Sequence, residues 1–323
     1  MKVLVAPLNW GLGHASRCVP LVHRFLLEGH EVILGGDGES LTLLRRHFPN
    51  LRYVYLAPLQ LRYSSSNRQV WAICKAIPRL IVWSIKDHTM LRAVLREEHV
   101  DRVVSDNRFG LYNPATECIY LTHQLRIFLP QGWRWAEPLA SRVHSWVYKH
   151  YNAVWVPDYE DIRKSLAGEL SHLSSVSSSS CVFTYIGPLS RFSLIPLYAH
   201  AVTPSFDVVA VLSGLEPQRS RLEAEIKQRF AGSEERVLIV QGLMNRPNTR
   251  FRRGNITIVP YLNDEELAKA FLGAKHIIAR SGYSTIMDLA ALGLFENHKS
   301  LIELIPTPGQ PEQEYLAVLH CKK

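Results

Sequence analysis

Short apolar runs alternate with segments of helical hydrophobic spacing along the whole chain. In the first cycle Lys2–Ala6 predicts a buried strand, Asn9–Gly13 a tight glycine loop, and residues 18–26 a helix with one apolar face. Gly29 stands at the C-terminal cap position of that helix, directly before a second strand, Glu31–Leu34. This order predicts a βαβ unit.

The alternation continues as far as Pro188. It predicts further strands at Leu51–Tyr55, Asp101–Ser105, Ala153–Val156 and Val182–Ile186. Helical segments between them favour a mostly parallel, doubly wound sheet. The serine tract Ser174–Ser180 predicts a surface loop, and Gly187 with Pro188 an interdomain linker. The first domain is therefore expected at residues 1–188.

The pattern restarts after the linker. Strands are predicted at Asp207–Leu212, Arg236–Val240, Ile256–Val259, Lys275–Ala279 and Leu301–Ile305. Helices are predicted at Pro217–Phe230, from the Asn263/Glu266 capping box to Gly273, at Ser284–Leu292 and from Glu312. Residues 189–323 thus predict a second domain. The fold class is α/β, with two Rossmann-like doubly wound domains facing a central cleft at the carboxyl ends of their strands.

Composition narrows the classes of protein. A chain of 323 residues with 47% hydrophobic and 20% charged residues can bury the cores of about two domains. The net charge of +8 is uneven, because residues 1–188 carry 21 Lys and Arg against 15 Asp and Glu, and the remainder 16 against 14. The five scattered cysteines form no C-x-x-C pair, so neither a disulfide framework nor a zinc cage is indicated.

The chain also predicts a location. Its N-terminal apolar run is too short for a signal peptide, and no segment approaches the ~20 apolar residues that cross a bilayer. We expect a cytoplasmic protein whose membrane contact, if present, is peripheral on the inner face of the membrane.

Gly11, Gly13 and His14 follow the first strand and open a helix, where amide groups and the helix dipole favour an anion or an oxygen-rich ligand. His14 is a candidate general base, since an ordinary histidine titrates near neutrality; the alternative is a histidine that only caps the helix or binds a phosphate. A nicotinamide enzyme is a further alternative because Asp37 ends the second strand, although Ser16 replaces the third glycine of that fingerprint.

Two more polar side chains end strands or apolar runs of the first domain. Asp106 follows Ser105 at a predicted strand end and is the candidate partner that orients His14, the alternative being a turn or N-cap aspartate. His123 ends the next apolar run and is a candidate for the acceptor pocket, together with Gly11 and Gly13.

The second domain has three strand–loop–helix junctions suited to anions and hydroxyls. The donor-side candidates at these junctions are Ser213, Gly214, Arg219, Arg280, Ser281, Gly282, Thr285, Asp288, Gln310, Glu312 and Gln313. Arg219 and Arg280 are candidate cations for a leaving diphosphate, with solvated surface arginines as the alternative. No Asp-x-Asp motif accompanies them, which agrees with a reaction that needs no metal.

These motifs resemble the donor-binding half of GT-B glycosyltransferases, above all the MurG-like family 28. The resemblance is carried by Tyr261–Asp264, by Arg280–Gly282 with Thr285 and Asp288, and by Pro306–Gln313, and the Gly11–His14 loop is similar to the N-terminal loop of the superfamily. It implies an inverting, metal-independent transfer from a nucleotide diphosphate sugar, of UDP type, to an acceptor hydroxyl, without a cofactor.

By the same resemblance Asp288 binds the donor ribose, where MurG-like enzymes carry glutamate. Ser281, Gly282 and Thr285 hold the diphosphate; Gln313 with Glu312 reads the sugar; and His14 matches the base that works with an aspartate. Three departures stand out: an N-terminal loop with fewer glycines, an apparent insertion at Phe295–Ser300, and a last motif close to Lys323, so that a final helix returning to the first domain is expected to be short or absent.

Two stretches combine tryptophan with cations, Trp71–Lys86 and Trp133–Tyr151. This composition is typical of a patch on an anionic membrane and predicts a lipid-linked or cell-envelope glycan acceptor. The alternative is a pair of core helices whose cations reach solvent. No nucleic-acid motif is present. Two other functions stay open: a UDP-sugar 2-epimerase, and a non-catalytic nucleotide-sugar-binding subunit of a membrane complex.

Overall fold

Seven parallel strands form the sheet of the first part of the chain, in the order β3-β2-β1-β4-β5-β6-β7. The strands are β1 Lys2–Pro7, β2 Glu31–Gly36, β3 Tyr53–Tyr55, β4 Arg102–Asp106, β5 Glu117–Leu121, β6 Ala153–Val156 and β7 Val182–Tyr185. The predicted parallel, doubly wound sheet is confirmed. The order reverses between β1 and β4, which pair with Pro7 opposite Asp106.

The computed structural model describes residues 1–59, 69–173, 181–195, 205–214, 216–244, 246–296 and 299–321, with residues 69–76 described by their backbone. The predicted loop Ser174–Ser180 lies outside these residues. The chain divides into two units. Residues 1–9 and 14–189 form the first unit, and residues 10–13 and 190–323 form the second.

The helices of the first unit are α1 Gly13–Leu27, α2 Gly38–His47, α3 Gln69–Glu97 and α4 Glu137–Tyr148, the last preceded by a 3-10 helix, Gln131–Ala136. Gly29 follows α1 with φ of +76°, a conformation that glycine adopts without strain. The core beneath the sheet is apolar and includes Leu4, Ile33, Val103, Tyr120 and Val154.

Strand β5 was not among the predicted strands. Glu117–Leu121 contains an apolar run of only four residues, 118–121, which is too short for its periodicity to distinguish a strand from a helix. Its strand conformation comes from pairing with β4 on one side and β6 on the other.

The second unit contains a six-stranded sheet in the order β10-β11-β9-β8-β12-β13. Its strands are β8 Val208–Val211, β9 Val237–Val240, β10 Phe251–Arg253, β11 Ile256–Val259, β12 His276–Arg280 and β13 Leu301–Ile305. All pairs are parallel except β10 with β11. The unpredicted edge strand β10 is fully exposed, so burial leaves no alternating pattern in its sequence.

Four helices flank this sheet: α5 Gln218–Arg229, α6 Asp264–Gly273, α7 Tyr283–Ala291 and α8 Pro311–Cys321. The predicted capping box of α6 is confirmed. Asn263 Oδ1 accepts from the Glu266 amide at 2.8 Å, and Glu266 Oε2 accepts from the Asn263 amide at 3.1 Å. Among the described residues, no helix is long and apolar enough to cross a membrane.

Candidate active site

The first sheet brings three predicted side chains together at its carboxyl edge. Strand β1 leads through the glycine loop into α1, whose second residue is His14, while β4 ends at Asp106 and β5 is followed by His123. Because β1, β4 and β5 are neighbours in the sheet, residues far apart in sequence lie side by side at the point where the strand order reverses.

His14 and Asp106 are in direct contact. Nδ1 of His14 lies 2.9 Å from Oδ1 of Asp106. The carboxylate is fully buried, whereas the imidazole keeps 18% of its side-chain surface exposed. A buried carboxylate beside a partly exposed imidazole is the arrangement that orients a histidine general base.

Arg17 completes the cluster, and the sequence reasoning missed it. It lies three residues after His14 on α1, hence on the same face, and is 1% exposed. Its Nε donates to Asp106 Oδ2 at 2.8 Å, Nη2 donates to Asp106 Oδ1, and Nη1 lies 3.0 Å from His123 Nδ1. The available signal was the position of an arginine among the apolar residues of an amphipathic helix.

The charges around Asp106 keep it ionised. Burial by itself raises the pKa of this carboxyl, but the positive charge of Arg17, then His14, and the hydrogen bonds from both hold it well below its usual range. Cys18 also donates to Asp106, with Sγ 3.6 Å from Oδ2. Burial, and next the charge of Asp106, raise the pKa of the Cys18 thiol, so it stays protonated and is no nucleophile.

Asp37 does not fit the nicotinamide alternative. Its carboxylate accepts from Asn9 Nδ2 at 2.8 Å and from Arg108 Nη1 at 3.0 Å. Arg108 is fully buried and also binds both carboxylate oxygens of Asp87, at 3.0 and 2.7 Å. Asp37 is therefore part of a buried ion network, whereas a nicotinamide enzyme needs a carboxylate that is open to the ribose. Arg108 is a second arginine that the sequence reasoning missed.

In the second unit, the loops after β8 and β12 lie at the corresponding reversal of strand order, and the loop after β13 follows the strand next to β12. Gly282 precedes α7 and provides no side-chain cap, and a helix N-terminus of this kind suits an anion. Ser281 is buried, and its hydroxyl donates to the Gln313 carbonyl at 2.8 Å. Ser284 and Thr285 in that turn are partly exposed.

The loop before α8 is held by Gln313, whose Oε1 accepts from the Thr307 amide at 2.8 Å. The predicted sugar-reading residues Gln310 and Glu312 lie beside it and are partly exposed. After β8, Ser213 is partly exposed and Gly214 has φ of +92°, which requires glycine-like freedom. Gly11 in the first glycine loop has φ of +79°, and Gly13 begins α1.

The two predicted diphosphate cations contact acceptors within the protein. Arg280 is buried, and its guanidinium donates to the Pro306 carbonyl at 3.0 Å and the Gln218 carbonyl at 2.9 Å. Arg219 is also buried and forms an ion pair with Glu216. Both guanidinium groups thus bind acceptors of the second unit, and their contact with a diphosphate stays a prediction.

Asp288, the predicted ribose-binding residue, is buried and contacts other side chains of the second unit. Its Oδ1 accepts from the Ser190 hydroxyl at 2.6 Å, and Arg191 Nε lies 3.8 Å from Oδ2. Burial raises the pKa of Asp288 to about 6, although Arg191 and the Ser190 hydroxyl act in the opposite direction. The carboxylate is thus bound by residues 190 and 191, and its contact with a ribose stays a prediction.

Solved glycosyltransferase structures align with nearly the whole of this chain. SnogD, a glycosyltransferase from Streptomyces nogalater, aligns over 99% of this chain and 84% of its own with a TM-score of 0.55 and 17% identity. MurG of Acinetobacter baumannii aligns over 99% and 83%, with a TM-score of 0.50 and 13% identity. The chain has the GT-B fold.

Other comparisons extend this finding. Arabidopsis thaliana UGT89C1, solved with UDP-L-rhamnose, aligns over 99% of this chain and 89% of its own with a TM-score of 0.57 and 12% identity. A 46-residue stretch is 48% identical to an uncharacterized glycosyltransferase of Methanosarcina acetivorans, a match spanning 14% of this chain and 12% of that protein. No family model matches the chain.

This GT-B chain carries an apolar surface on its first unit. Trp135, Leu139, Val143 and Trp146 recur at helical spacing along residues 131–148 and are all more than 60% exposed. On α3, Trp83 is buried, while Ile77, Ile81, Val82 and Ile85 are exposed. The alternative of two core-packed helices therefore fails for these residues. Within the part of the chain that the structure describes, no group of three or more His, Cys, Asp or Glu is arranged to hold a metal ion.

Proposed function

We propose that this protein is a glycosyltransferase that moves a sugar from a nucleotide diphosphate sugar to an acceptor hydroxyl, with inversion at the anomeric carbon. The observation that carries the proposal is the 2.9 Å contact between His14 and Asp106 at the reversal of strand order in a GT-B chain. A base held in this way can take a proton as the hydroxyl attacks.

The reaction is a single displacement. The acceptor oxygen forms a bond to the anomeric carbon while the bond from that carbon to the diphosphate oxygen breaks, and the diphosphate leaves with the electron pair. The hydroxyl proton passes to Nε2 of His14, since Nδ1 faces Asp106. The Asp106 carboxylate stabilises the resulting imidazolium.

We place the donor at the loops of the second unit. The N-terminus of α7 offers amide groups and the positive end of a helix dipole to a diphosphate. The loop braced by Gln313 and Thr307 is a rigid platform for sugar hydroxyls. UDP-sugars are the first donors to test, because UDP-L-rhamnose is bound in one solved GT-B structure. Thymidine diphosphate is the second, because it is bound in a spinosyn rhamnosyltransferase.

The acceptor is proposed to be lipid-linked and presented at an anionic membrane. The surface formed by Trp135, Leu139, Val143 and Trp146, here called the tryptophan stripe, is apolar and exposed. Arg134, Arg142 and Lys149 are exposed in the same segment. Indole rings beside cations match the interface of a bilayer that carries negative lipid headgroups.

The proposal is tested in two steps. A ligand that binds the folded state raises the melting temperature, so purified protein is melted with UDP-, TDP- and GDP-sugars. The stabilising donor, radiolabelled in its sugar, is then incubated with a bacterial or archaeal lipid extract. We expect label in the organic phase and release of the nucleoside diphosphate.

Three outcomes contradict this assignment. Failure of every nucleotide sugar to stabilise the protein removes the donor site. Epimerised sugar released from UDP-N-acetylglucosamine without an acceptor means a 2-epimerase instead. Binding without turnover on any acceptor, in wild type as in His14→Ala, means a non-catalytic binding subunit.

A further inference from the structure

Asn107 has an uncommon backbone conformation directly beside the candidate base. It follows Asp106 at the end of β4, and its φ is +55°, a positive value that no other non-glycine residue has in the part of the chain that the structure describes. Asparagine tolerates this left-handed region better than most residues. Glycine adopts it without strain, so the backbone conformation alone does not explain why the side chain of asparagine is present.

Hydrogen bonds fix the backbone on both sides of Asn107. The carbonyl that precedes it accepts from the Leu8 amide at 2.9 Å. The Arg108 carbonyl accepts from the Ser105 hydroxyl at 2.6 Å and from the Tyr151 hydroxyl at 2.8 Å. A residue in a sparsely populated conformation persists only where its surroundings hold it, and such residues concentrate at functional sites.

The side-chain amide of Asn107 is bound at one end only. The hydroxyl of the fully buried Tyr120 on β5 donates to Oδ1 of Asn107 at 2.9 Å. Nε2 of His144 on α4 lies 3.2 Å from the same hydroxyl and holds it from the other side. Among the described residues, Nδ2 of Asn107 has no hydrogen-bond partner, and it is not one of the buried unpaired atoms. Asn107 is partly exposed, so this end of the amide is open to solvent.

The open amide lies across the end of β4 from His14. Asp106 and Asn107 are consecutive, so their Cα atoms are about 3.8 Å apart, and Oδ1 of Asp106 is 2.9 Å from Nδ1 of His14. Asp106 points to the face of the sheet that α1 covers. Tyr120 pairs in register with Ser105, whose side chain is on the opposite face because successive strand residues alternate. A molecule whose hydroxyl meets His14 can therefore reach the Asn107 amide with a second group.

The charges beside Asn107 disfavour an anion as that second group. Its two neighbours in sequence, with their ion-pair partners, are three carboxylates and two guanidinium groups: Asp106, Asp37, Asp87, Arg17 and Arg108. With His14 neutral, as a base requires, this cluster has one net negative charge, and its members are buried, so water screens the charge little. A phosphate would be repelled, whereas a neutral hydroxyl group both donates and accepts and can bind either end of an amide.

We propose that Asn107 binds the acceptor through a second hydroxyl group, next to the one that attacks, so that the acceptor is a sugar or another polyol at this position. Asn107 contacts the acceptor itself, and Tyr120 is a positioning residue that holds the amide. The inference rests on the proposed function for the identity of the attacking hydroxyl.

The kinetic test compares Asn107→Gly with wild type in the transfer assay with the lipid extract as acceptor. Glycine keeps the positive φ and removes only the side chain, so the fold should be retained. We expect the extract concentration at half-maximal rate to rise about 5-fold, because one hydrogen bond contributes about 2- to 10-fold in affinity. The maximal rate, and donor affinity by calorimetry, should stay as in wild type.

The matched control is Asn113→Gly. Asn113 lies in the same connection between β4 and β5, and its Oδ1 accepts from the Ala115 amide. It should behave as wild type. An unchanged half-saturating concentration in Asn107→Gly, or an equal loss of donor affinity, overturns the contact with the acceptor.

Tyr120→Phe tests the positioning role. It should raise the half-saturating extract concentration in wild type and add no further rise in Asn107→Gly, because its hydroxyl acts through the amide. Additive effects of the two substitutions overturn this role.

Binding is also measured without turnover. The side-chain amide ¹H–¹⁵N signals of Asn107 are assigned by their loss in Asn107→Gly, and wild-type protein is titrated with octyl β-glucoside or with octyl phosphate, which share the alkyl chain. We expect octyl glucoside to shift the Asn107 signals and not those of Asn113, and octyl phosphate to shift neither. Equal shifts with both probes overturn the preference for a neutral hydroxyl, and no shift with either probe overturns the site.

The two failures can be told apart. If wild-type protein transfers sugar from no donor while octyl glucoside shifts the Asn107 signals, the proposed function is wrong and the hydroxyl site remains. If wild-type protein transfers sugar and Asn107→Gly requires no more extract, the proposed function stands and Asn107 does not bind the acceptor.

Discussion

Ser190 and Asp288 are joined by a 2.6 Å hydrogen bond that ties the start of the second unit to helix α7. The carboxylate is buried, and burial raises its pKa to about 6, above the ordinary value for aspartate. A group whose pKa is higher in the folded state stabilises the fold while it is protonated, and this stabilisation is lost as the pH rises through the folded value.

The free energy of unfolding should therefore fall between about pH 4 and pH 7 by up to about 3 kcal/mol on account of Asp288, since one pKa unit corresponds to about 1.4 kcal/mol. Asp288→Asn removes this titration, so its melting temperature should depend less on pH in this window. Melting curves at half-unit pH steps measure the difference. Glu97→Gln, a substitution at an exposed carboxylate on α3, is the control and should follow wild type. Parallel curves for wild type and Asp288→Asn would show that Asp288 titrates normally.

His14→Ala should lower kcat by about 100-fold or more, because general base catalysis contributes about 10²–10⁴ in rate. Affinity for the donor should change little, since the proposed donor loops belong to the second unit. The measurement is kcat from initial rates together with donor affinity by calorimetry. The control is His30→Ala, a histidine after α1 that is outside the cluster. Retention of full turnover in His14→Ala would remove the base role.

Asp106→Asn keeps the shape of the side chain and removes its charge. The amide can no longer pair with Arg17 or stabilise a protonated His14, so kcat should fall by about 100-fold or more while the helical circular dichroism is retained. The comparison variant is Asp101→Asn, which changes the partly exposed carboxylate directly before β4. Equal activity of Asp106→Asn and Asp101→Asn would show that the buried carboxylate has no part in turnover.

Arg108→Met should destabilise the first unit by about 3–5 kcal/mol, because it leaves the buried carboxylates of Asp37 and Asp87 without their cation. Chemical denaturation followed by tryptophan fluorescence measures the loss. Adding Asp87→Asn to Arg108→Met should recover part of it, since one uncompensated charge is removed. Arg102→Met, at a partly exposed ion pair with Glu117, should cost at most about 1 kcal/mol. Similar losses for Arg108→Met and Arg102→Met would contradict the buried network.

The tryptophan stripe should bind anionic vesicles. Replacing both Trp135 and Trp146 by serine should reduce cosedimentation with vesicles of phosphatidylglycerol and phosphatidylcholine by about 10-fold or more, because two indole rings are removed from the interface. Pure phosphatidylcholine should retain little protein in either case. Phe251→Ser removes an exposed aromatic ring from the second unit and should leave binding unchanged. Undiminished binding of the double variant would exclude the stripe as the membrane contact.

Local features were predictable where the responsible forces are local. The capping box of α6 depends on two residues that are three positions apart in the sequence. The strands at 2–7 and 31–36 were predicted from short apolar runs, which are buried in the structure. Strand β5 was not predicted because a run of four apolar residues is too short to show a period, and β10 was not predicted because an exposed edge strand has no buried face.

The roles of the arginines were not predictable in the same way. Arg17 and Asp106 are separated by 89 residues, and Arg108 and Asp37 by 71. A charged side chain in a sequence is equally compatible with solvent and with a buried partner. Arg219 and Arg280 show the same limit, because the sequence did not indicate that these side chains contact protein acceptors.

The sequence by itself determined that the chain is α/β, that glycine loops and polar residues end its strands, and that His14 and Asp106 stand at such ends, since hydrophobic period and capping are properties of neighbouring residues. Only the tertiary structure decided that β4 lies beside β1, which brings Asp106 to His14 and Arg17, and that Asp288 is bound by Ser190. The physical reason is that ionic partners are chosen by strand order and burial, and both arise only when the whole core is packed.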